Sequence, residues 1–363
     1  GCSRGCRFCQ AGMIYRPVRE RSMNNLCELA EALVGSSGYE ELSLLSLSSA
    51  DYTRIKDLIS KLASEYGPQG VAVSLPSLRV DSFSIALARD VEKSRRTGLT
   101  FAPEAGTQRM RDIINKGVTE DDLMAAATDA FESGWDQIKL YFMIGLPFET
   151  LEDIDGIAAL SRRVLQLGRQ VAGARGKAGR ARVNVSVSSF VPKPHTPFQW
   201  FPQNTREQLE EKQSCLKERV RVRGLSVSFH DVEASHLEAA FARGDRRLAP
   251  VIERAWDLGC RFDGWSDQFR PGLWQQAFSD MSLDSSMWAN AEYGYGDTLP
   301  WDHIDMGVSR AFLLREAHRA EDGLTTPDCR EAGCSGCGVC RGDVRVRLAG
   351  EFAGSSSQGG GQA

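Results

Sequence analysis

No run of about 18 or more apolar residues occurs in this chain, so an ordinary membrane-spanning helix is not expected. No secretory signal is visible, and a cytoplasmic protein is expected. Charge of one sign is also missing. Lys and Arg number 44 against 48 Asp and Glu, a formal net charge of −4. No global positive field therefore holds nucleic acid, although a local patch stays open. Cysteine is sparse, ten in 363 residues, too little for a disulfide-built scaffold. The rest, 42% apolar and 25% charged, is an ordinary globular composition, long enough for a large core and more than one domain.

The few cysteines are not scattered evenly. Three lie in the first nine residues and four between 329 and 340. Such tight clusters in a large chain point to metal or iron–sulfur ligation in a reducing compartment. Cys27, Cys215 and Cys260 stand apart and read as small buried hydrophobes.

Between 25 and 190 the pattern alternates strand and helix. Strands are expected at 41–47, 71–75, 99–102, 138–144 and 183–190, with helices at 26–34, 51–66, 82–94, 119–133 and 150–167. Thr119 with Asp122, and Thr205 with Gln208, carry capping-box spacing. Residues 168–180, basic and Gly-rich, read as a loop, and 225–229 as one more strand. Repeated βα units with crossover helices imply a parallel sheet. The expected fold is α/β, a partial (βα)6-type TIM-like barrel without its first strand, with a mostly helical C-terminal extension. An open doubly wound sheet is the alternative. The expected divisions are a barrel core over 1–200, an extension with a cysteine cluster over 201–345, and a disordered tail over 346–363. The chain opens on Gly1-Cys2 with no methionine and no leading strand, and a fragment of a longer protein is expected.

Cys2, Cys6 and Cys9 form C-x3-C-x2-C, with Phe8 before the last thiol. Three thiolates on one loop can hold three irons of a cubane cluster and leave the fourth iron free. A structural zinc would need a fourth ligand, and the first twenty residues contain no His or Asp. Zinc completed at long range is the competing reading.

This motif and the segments after it resemble the radical S-adenosylmethionine (SAM) superfamily. The resemblance implies a 4Fe-4S cluster on Cys2, Cys6 and Cys9, with the amino and carboxylate groups of SAM on the open iron. It also implies an outside electron donor such as flavodoxin or ferredoxin. Cleavage of SAM to a 5′-deoxyadenosyl radical would follow, the cofactor carrying the hard chemistry. The family's usual Gly-Gly-Glu is missing from the second strand, leaving Ser46 and Ser48 as weaker candidates there. By the same resemblance Phe8, Glu104 in Phe-Ala-Pro-Glu-Ala-Gly-Thr, Lys139 on the fifth strand and Gly145 in Met-Ile-Gly-Leu-Pro are cofactor-binding candidates. The Pro-Lys-Pro-His-Thr-Pro loop around His195 resembles the methylthiotransferase-like branch. Together with Ala242-Arg-Gly-Asp-Arg-Arg247, these segments are most similar to a bacterial family of B12-binding radical SAM proteins. In that family a cobalamin domain precedes the barrel, so cobalamin is implied for a parent protein and not for this chain.

Cys329, Cys334, Cys337 and Cys340 form C-x4-C-x2-C-x2-C. Four thiolates within twelve residues can close around one centre, an auxiliary 4Fe-4S cluster or a structural zinc. The expected function is a radical SAM enzyme of unknown substrate, with cobalamin-dependent methyl transfer as one outcome. A tRNA- or protein-directed methylthiotransferase is an alternative, as is a non-catalytic zinc-binding or nucleic-acid adaptor.

Overall fold

Parallel strands carry the fold, in a computed structural model that describes residues 1–74, 99–174 and 178–349. Strands β1 (Glu41–Ser43) and β2 (Ala72–Ser74) pair with each other. Strands β3 (Leu99–Glu104), β4 (Gln137–Ile144), β5 (Arg182–Ser189) and β6 (Leu225–Phe229) form a second sheet in sequence order. Every pairing is parallel. The helices are α1 (Gln10–Ile14), α2 (Met23–Ser37), α3 (Ile55–Tyr66), α4 (Gln108–Ile113), α5 (Glu120–Ser133) and α6 (Leu151–Ala174). They continue as α7 (Arg206–Arg219), α8 (Val232–Arg243), α9 (Leu248–Asp257), α10 (Pro271–Asp280), α11 (Ser286–Ala289) and α12 (Arg310–Glu321).

The period of two along each strand decides which face meets the helices. Ile138, Leu140 and Phe142 of β4 and Val183, Val185 and Val187 of β5 bury one face against α5, α6 and α7. The alternate residues give the sheet a polar second face. Lys139 stands between Thr100 and Asn184, Tyr141 beside Ser186, and Ser226 Oγ donates to Asn184 at 2.8 Å. One helix-covered face and one polar face suit a partial barrel of the radical SAM kind better than a doubly wound sheet, which carries helices on both sides. Both predicted capping boxes are present, Thr119 with Asp122 and Thr205 with Gln208.

Several boundaries move. The segment predicted as a loop from 168 is still helix, because α6 runs on to Ala174. Gly168 is not a helix end there but a contact point. A Cβ at 168 would stand 2.5 Å from Cζ of Phe131, so the glycine lets α6 press against α5. The strand predicted over 41–47 is only the three residues of β1. The helix predicted over 82–94 and residues 350–363 of the predicted tail lie outside the described residues, while within 346–349 the Arg347 N–H donates to the Val18 carbonyl at 3.0 Å and the Ala349 N–H to Glu20 at 2.7 Å.

After β6 the chain is mostly helical. Helices α8 to α11 enclose a separate core containing Val251, Trp274, Phe278 and Trp288. Trp301, Phe312 and Leu313 join Met13 and Cys337 in another. The tryptophan-rich stretch is thus partly core, while Trp256 and Trp265 lie exposed. Among the described residues no helix is long and apolar enough to cross a membrane.

Candidate active site

The three N-terminal cysteines share one loop that leads into α1. Cys9 is the N-cap of that helix, and its Sγ accepts the Gly12 N–H at 3.3 Å. The Cys9 N–H in turn donates to the Cys6 carbonyl at 3.1 Å. Cys6 is buried, and Cys2 and Cys9 are half-buried. Burial pushes the Cys9 thiol up to about 11, Cys6 and Cys2 add to the rise, and the Gly12 amide and Lys116 oppose it. The three thiols therefore stand within electrostatic reach of one another.

Two other parts of the chain hold this loop in shape. From the turn after α4, the Ile114 carbonyl accepts the Arg7 N–H at 3.0 Å. Asn115 Nδ2 donates to the carbonyls of Gly5 and Arg4 at 3.1 and 3.3 Å. Gly5 has φ of +76°, and a Cβ there would press on Asn115 and Arg16 at 3.2 and 3.3 Å. From the C-terminal region, Glu316 of α12 accepts the fully buried Arg7 guanidinium at 3.2 Å. Thr326 donates to Glu316 at 2.8 Å, and its N–H reaches Asn115 Oδ1 at 2.8 Å. Burial lowers the Arg7 guanidinium, and Glu316 opposes that effect.

Glu104 ends β3 with φ of +67°, at a break in the register with β4. That left-handed backbone is costly for a residue with a side chain and turns the carboxylate off the strand. Lys116 Nζ lies 3.1 Å from Glu104 Oε1. Lys116 follows Asn115, whose amide holds the cysteine loop, so one turn bears on both the predicted carboxylate and that loop. The sequence did not single out Lys116, whose only signal is its place in the Asn-Lys-Gly turn. Glu316 carries no local signal, standing 309 positions from Arg7.

The remaining candidates are placed as follows. Ser46 and Ser48 line a cavity of about 420 Å³ together with Cys2. Ser46 Oγ accepts the Ser48 N–H at 3.1 Å, while Ser48 Oγ is buried without a partner among the described residues. Phe8 packs partly buried against Met110, Ile114 and Phe198. Lys139 lies on the polar face of β4, as a barrel lining requires, but its ammonium goes to Tyr141, donating to Oη at 2.8 Å and lying 4.5 Å over the ring. Gly145 follows β4 with φ of +79°, and its N–H donates to Glu149 at 2.8 Å. A Cβ there would meet Leu209 at 2.9 Å, so its glycine is explained by packing against α7.

In the second cysteine loop Cys337 is buried, Cys329 half-buried, and Cys334 and Cys340 exposed. Burial raises the Cys329 thiol, and Asp328, Cys337 and Cys340 raise it further. The Gly336 N–H donates to Cys334 Sγ at 3.4 Å. Among the described residues no three His, Cys, Asp or Glu side chains converge as a single metal ion requires, in either loop.

Residues 1–160 match the radical SAM superfamily, so a domain of that superfamily is present. An uncharacterized protein of Methanocaldococcus jannaschii is 33% identical over 255 residues, 70% of this chain and 52% of that one. An uncharacterized methyltransferase of Pyrococcus horikoshii is 23% identical over 166 residues, 45% of this chain and 35% of that one. The matched stretch spans about half the length, or less, of these curated relatives.

Proposed function

We propose that the chain carries the reactive part of a radical SAM enzyme, with Cys2, Cys6 and Cys9 holding a 4Fe-4S cluster beside bound SAM. When bound, that group supplies the electron that cleaves the sulfonium C–S bond of SAM. The observation that carries the reading is the C-x3-C-x2-C spacing on one loop, with Cys9 capping α1, inside a radical SAM domain.

The residues present fit such a group. A closed structural zinc asks for four protein ligands, and the first twenty residues hold no fourth cysteine and no histidine. A cluster gives each of three thiolates its own iron and leaves the fourth iron open. The Gly12 N–H on Cys9 Sγ is the kind of hydrogen bond that tunes sulfur ligands. The orphaned Ser48 hydroxyl, on a cavity wall shared with Cys2, is a polar atom awaiting a partner. Glu104 would accept hydrogen bonds from the ammonium or a ribose hydroxyl of SAM, and its ion pair with Lys116 holds the carboxylate in place.

A finer reading is methyl transfer, supported by the methyltransferase designation of the Pyrococcus horikoshii relative. It would draw cobalamin from a domain outside this chain. Anaerobic reconstitution with iron and sulfide, followed by dithionite and SAM, tests the first reading, and the same assay with reduced cobalamin added as methyl acceptor tests the second. 5′-Deoxyadenosine is expected from the radical reaction, and S-adenosylhomocysteine beside methylcobalamin if the methyl group of SAM is transferred. Replacing Cys2, Cys6 and Cys9 together by Ala should reduce 5′-deoxyadenosine to background. Cleavage at the unaltered rate in that variant would refute the assignment.

A further inference from the structure

A second cavity, of about 580 Å³, opens between the loop after β5, residues 302–310 and the second cysteine loop. Its volume is that of a small-molecule site. Its floor is built rather than incidental. His195 has φ of +58°, a strained conformation for a residue with a side chain. Gln199, 3% exposed, holds it there by accepting the His195 N–H at 2.9 Å. The same Oε1 accepts Trp301 Nε1–H at 2.8 Å. On the far wall Gly338, with φ of +93°, brings the cysteine loop against Ser309, whose N–H donates to the Cys337 carbonyl at 2.9 Å.

The charges around the opening divide into satisfied and unsatisfied groups. Asp302 and Arg310 neutralise each other at 2.6 Å, and Arg310 also donates to the carbonyls of Tyr295 and Asp297. Asp305 receives only the Gly307 N–H, at 2.7 Å. Among the described residues neither the Arg341 guanidinium nor the His195 ring has a hydrogen-bond or ion-pair partner. One carboxylate without a cation and one guanidinium without an anion thus border the same cavity, together with His195, on whose ring both Asp302 and Asp305 act. Ile304, Met306 and Val339 supply apolar wall. We propose that this cavity binds an aliphatic zwitterion of amino-acid size. Its carboxylate would meet Arg341, its ammonium Asp305, and its carbon chain the apolar wall.

This site is independent of the cysteine triad, and its test involves no SAM cleavage. Norleucine, hexanoate and hexylamine share a carbon chain and differ in charge, and each is titrated into the full chain by calorimetry. Norleucine should bind saturably, and each singly charged probe about tenfold more weakly or worse. Arg341→Gln should weaken norleucine and hexanoate about tenfold and leave hexylamine unchanged. Asp305→Asn should weaken norleucine and hexylamine and leave hexanoate unchanged. Both side chains are exposed, so both variants should fold. An amino acid can also chelate a metal, so norleucine is titrated into the full chain freed of metal by a chelator as well, and retained binding supports the cavity. Three results would overturn the proposal: no saturable binding, affinity indifferent to both substitutions, or binding lost in the metal-free chain.

Discussion

Lys116 and Glu104 show how one pair of side chains sets the character of a site. A carboxylate only 3.1 Å from an ammonium is held by that ion pair and keeps an oxygen free to accept. Glu104→Gln removes the charge but keeps the shape. It is expected to weaken SAM binding about tenfold in calorimetry, with iron content unchanged. Lys116→Met should do the same while releasing Glu104, and an unaltered SAM affinity in both would remove the pair from the site. His236 is a second residue with a measurable signature. Only 2% exposed, it places Nε2 2.9 Å from Ser285 Oγ and leaves Nδ1 without a partner. Burial, reinforced by Arg206, holds its pKa down to about 4 from 6.5. The unfolded chain therefore takes up a proton near pH 6.5 that the folded chain refuses until about 4. Its contribution is complete above 6.5 and lost as pH falls through that window, by about 3 kcal/mol. Urea midpoints taken from about pH 7 to about pH 4 should decline accordingly, and His236→Asn should flatten that part of the decline.

At the scale of elements, α12 and the turn after α4 act as two jaws on the cysteine loop. Arg7 is fully buried and Glu316 nearly so, which makes their pair costly to break from one side only. Glu316→Ala strands a buried guanidinium, and a loss of about 3–5 kcal/mol is expected in urea unfolding. Glu316→Gln keeps acceptors for Arg7 and Thr326 and should cost less. If the jaws set the loop, amide exchange over residues 2–9 should quicken in Glu316→Gln, while amides of β4 and β5 keep their protection. Exchange unchanged in the loop would limit Glu316 to a stabilising role. None of this arrangement was legible in the sequence. The thiol spacing lay within nine residues and could be read directly. The clamp joins Arg7 to Glu316 across 309 positions, and a contact so remote leaves no local pattern.

Across the whole molecule, strand alternation and helix caps were the readable features because each depends on a few neighbouring residues. The valine–serine alternation of β5 and the boxes at Thr119 and Thr205 are of this kind. The end of α6 was misread because Gly168 usually signals a stop, and only the ring of Phe131 on another helix explains its presence. The tertiary structure also joins the two cysteine loops, which the sequence sets some 330 residues apart. Met13, four residues after Cys9, shares a buried core with Cys337, Trp301 and Phe312. Arg4 ties the first loop to Asp328, the residue before Cys329, at 3.5 Å. The second loop is prepared for curling, with Gly333, Gly336 and Gly338 at φ of +86°, +69° and +93°. One of them, Gly336, already donates its N–H to Cys334 Sγ at 3.4 Å, the kind of contact that would offset thiolate charge. We therefore expect Cys329, Cys334, Cys337 and Cys340 to hold a second metal centre even when the first loop cannot. The Cys2/Cys6/Cys9 triple alanine variant, reconstituted without oxygen, should retain about four irons per chain with a cubane Mössbauer signal. Stoichiometric zinc without iron would make the centre structural. A variant that binds neither metal would show that the second loop stays open and that its glycines serve only the packing of Cys337.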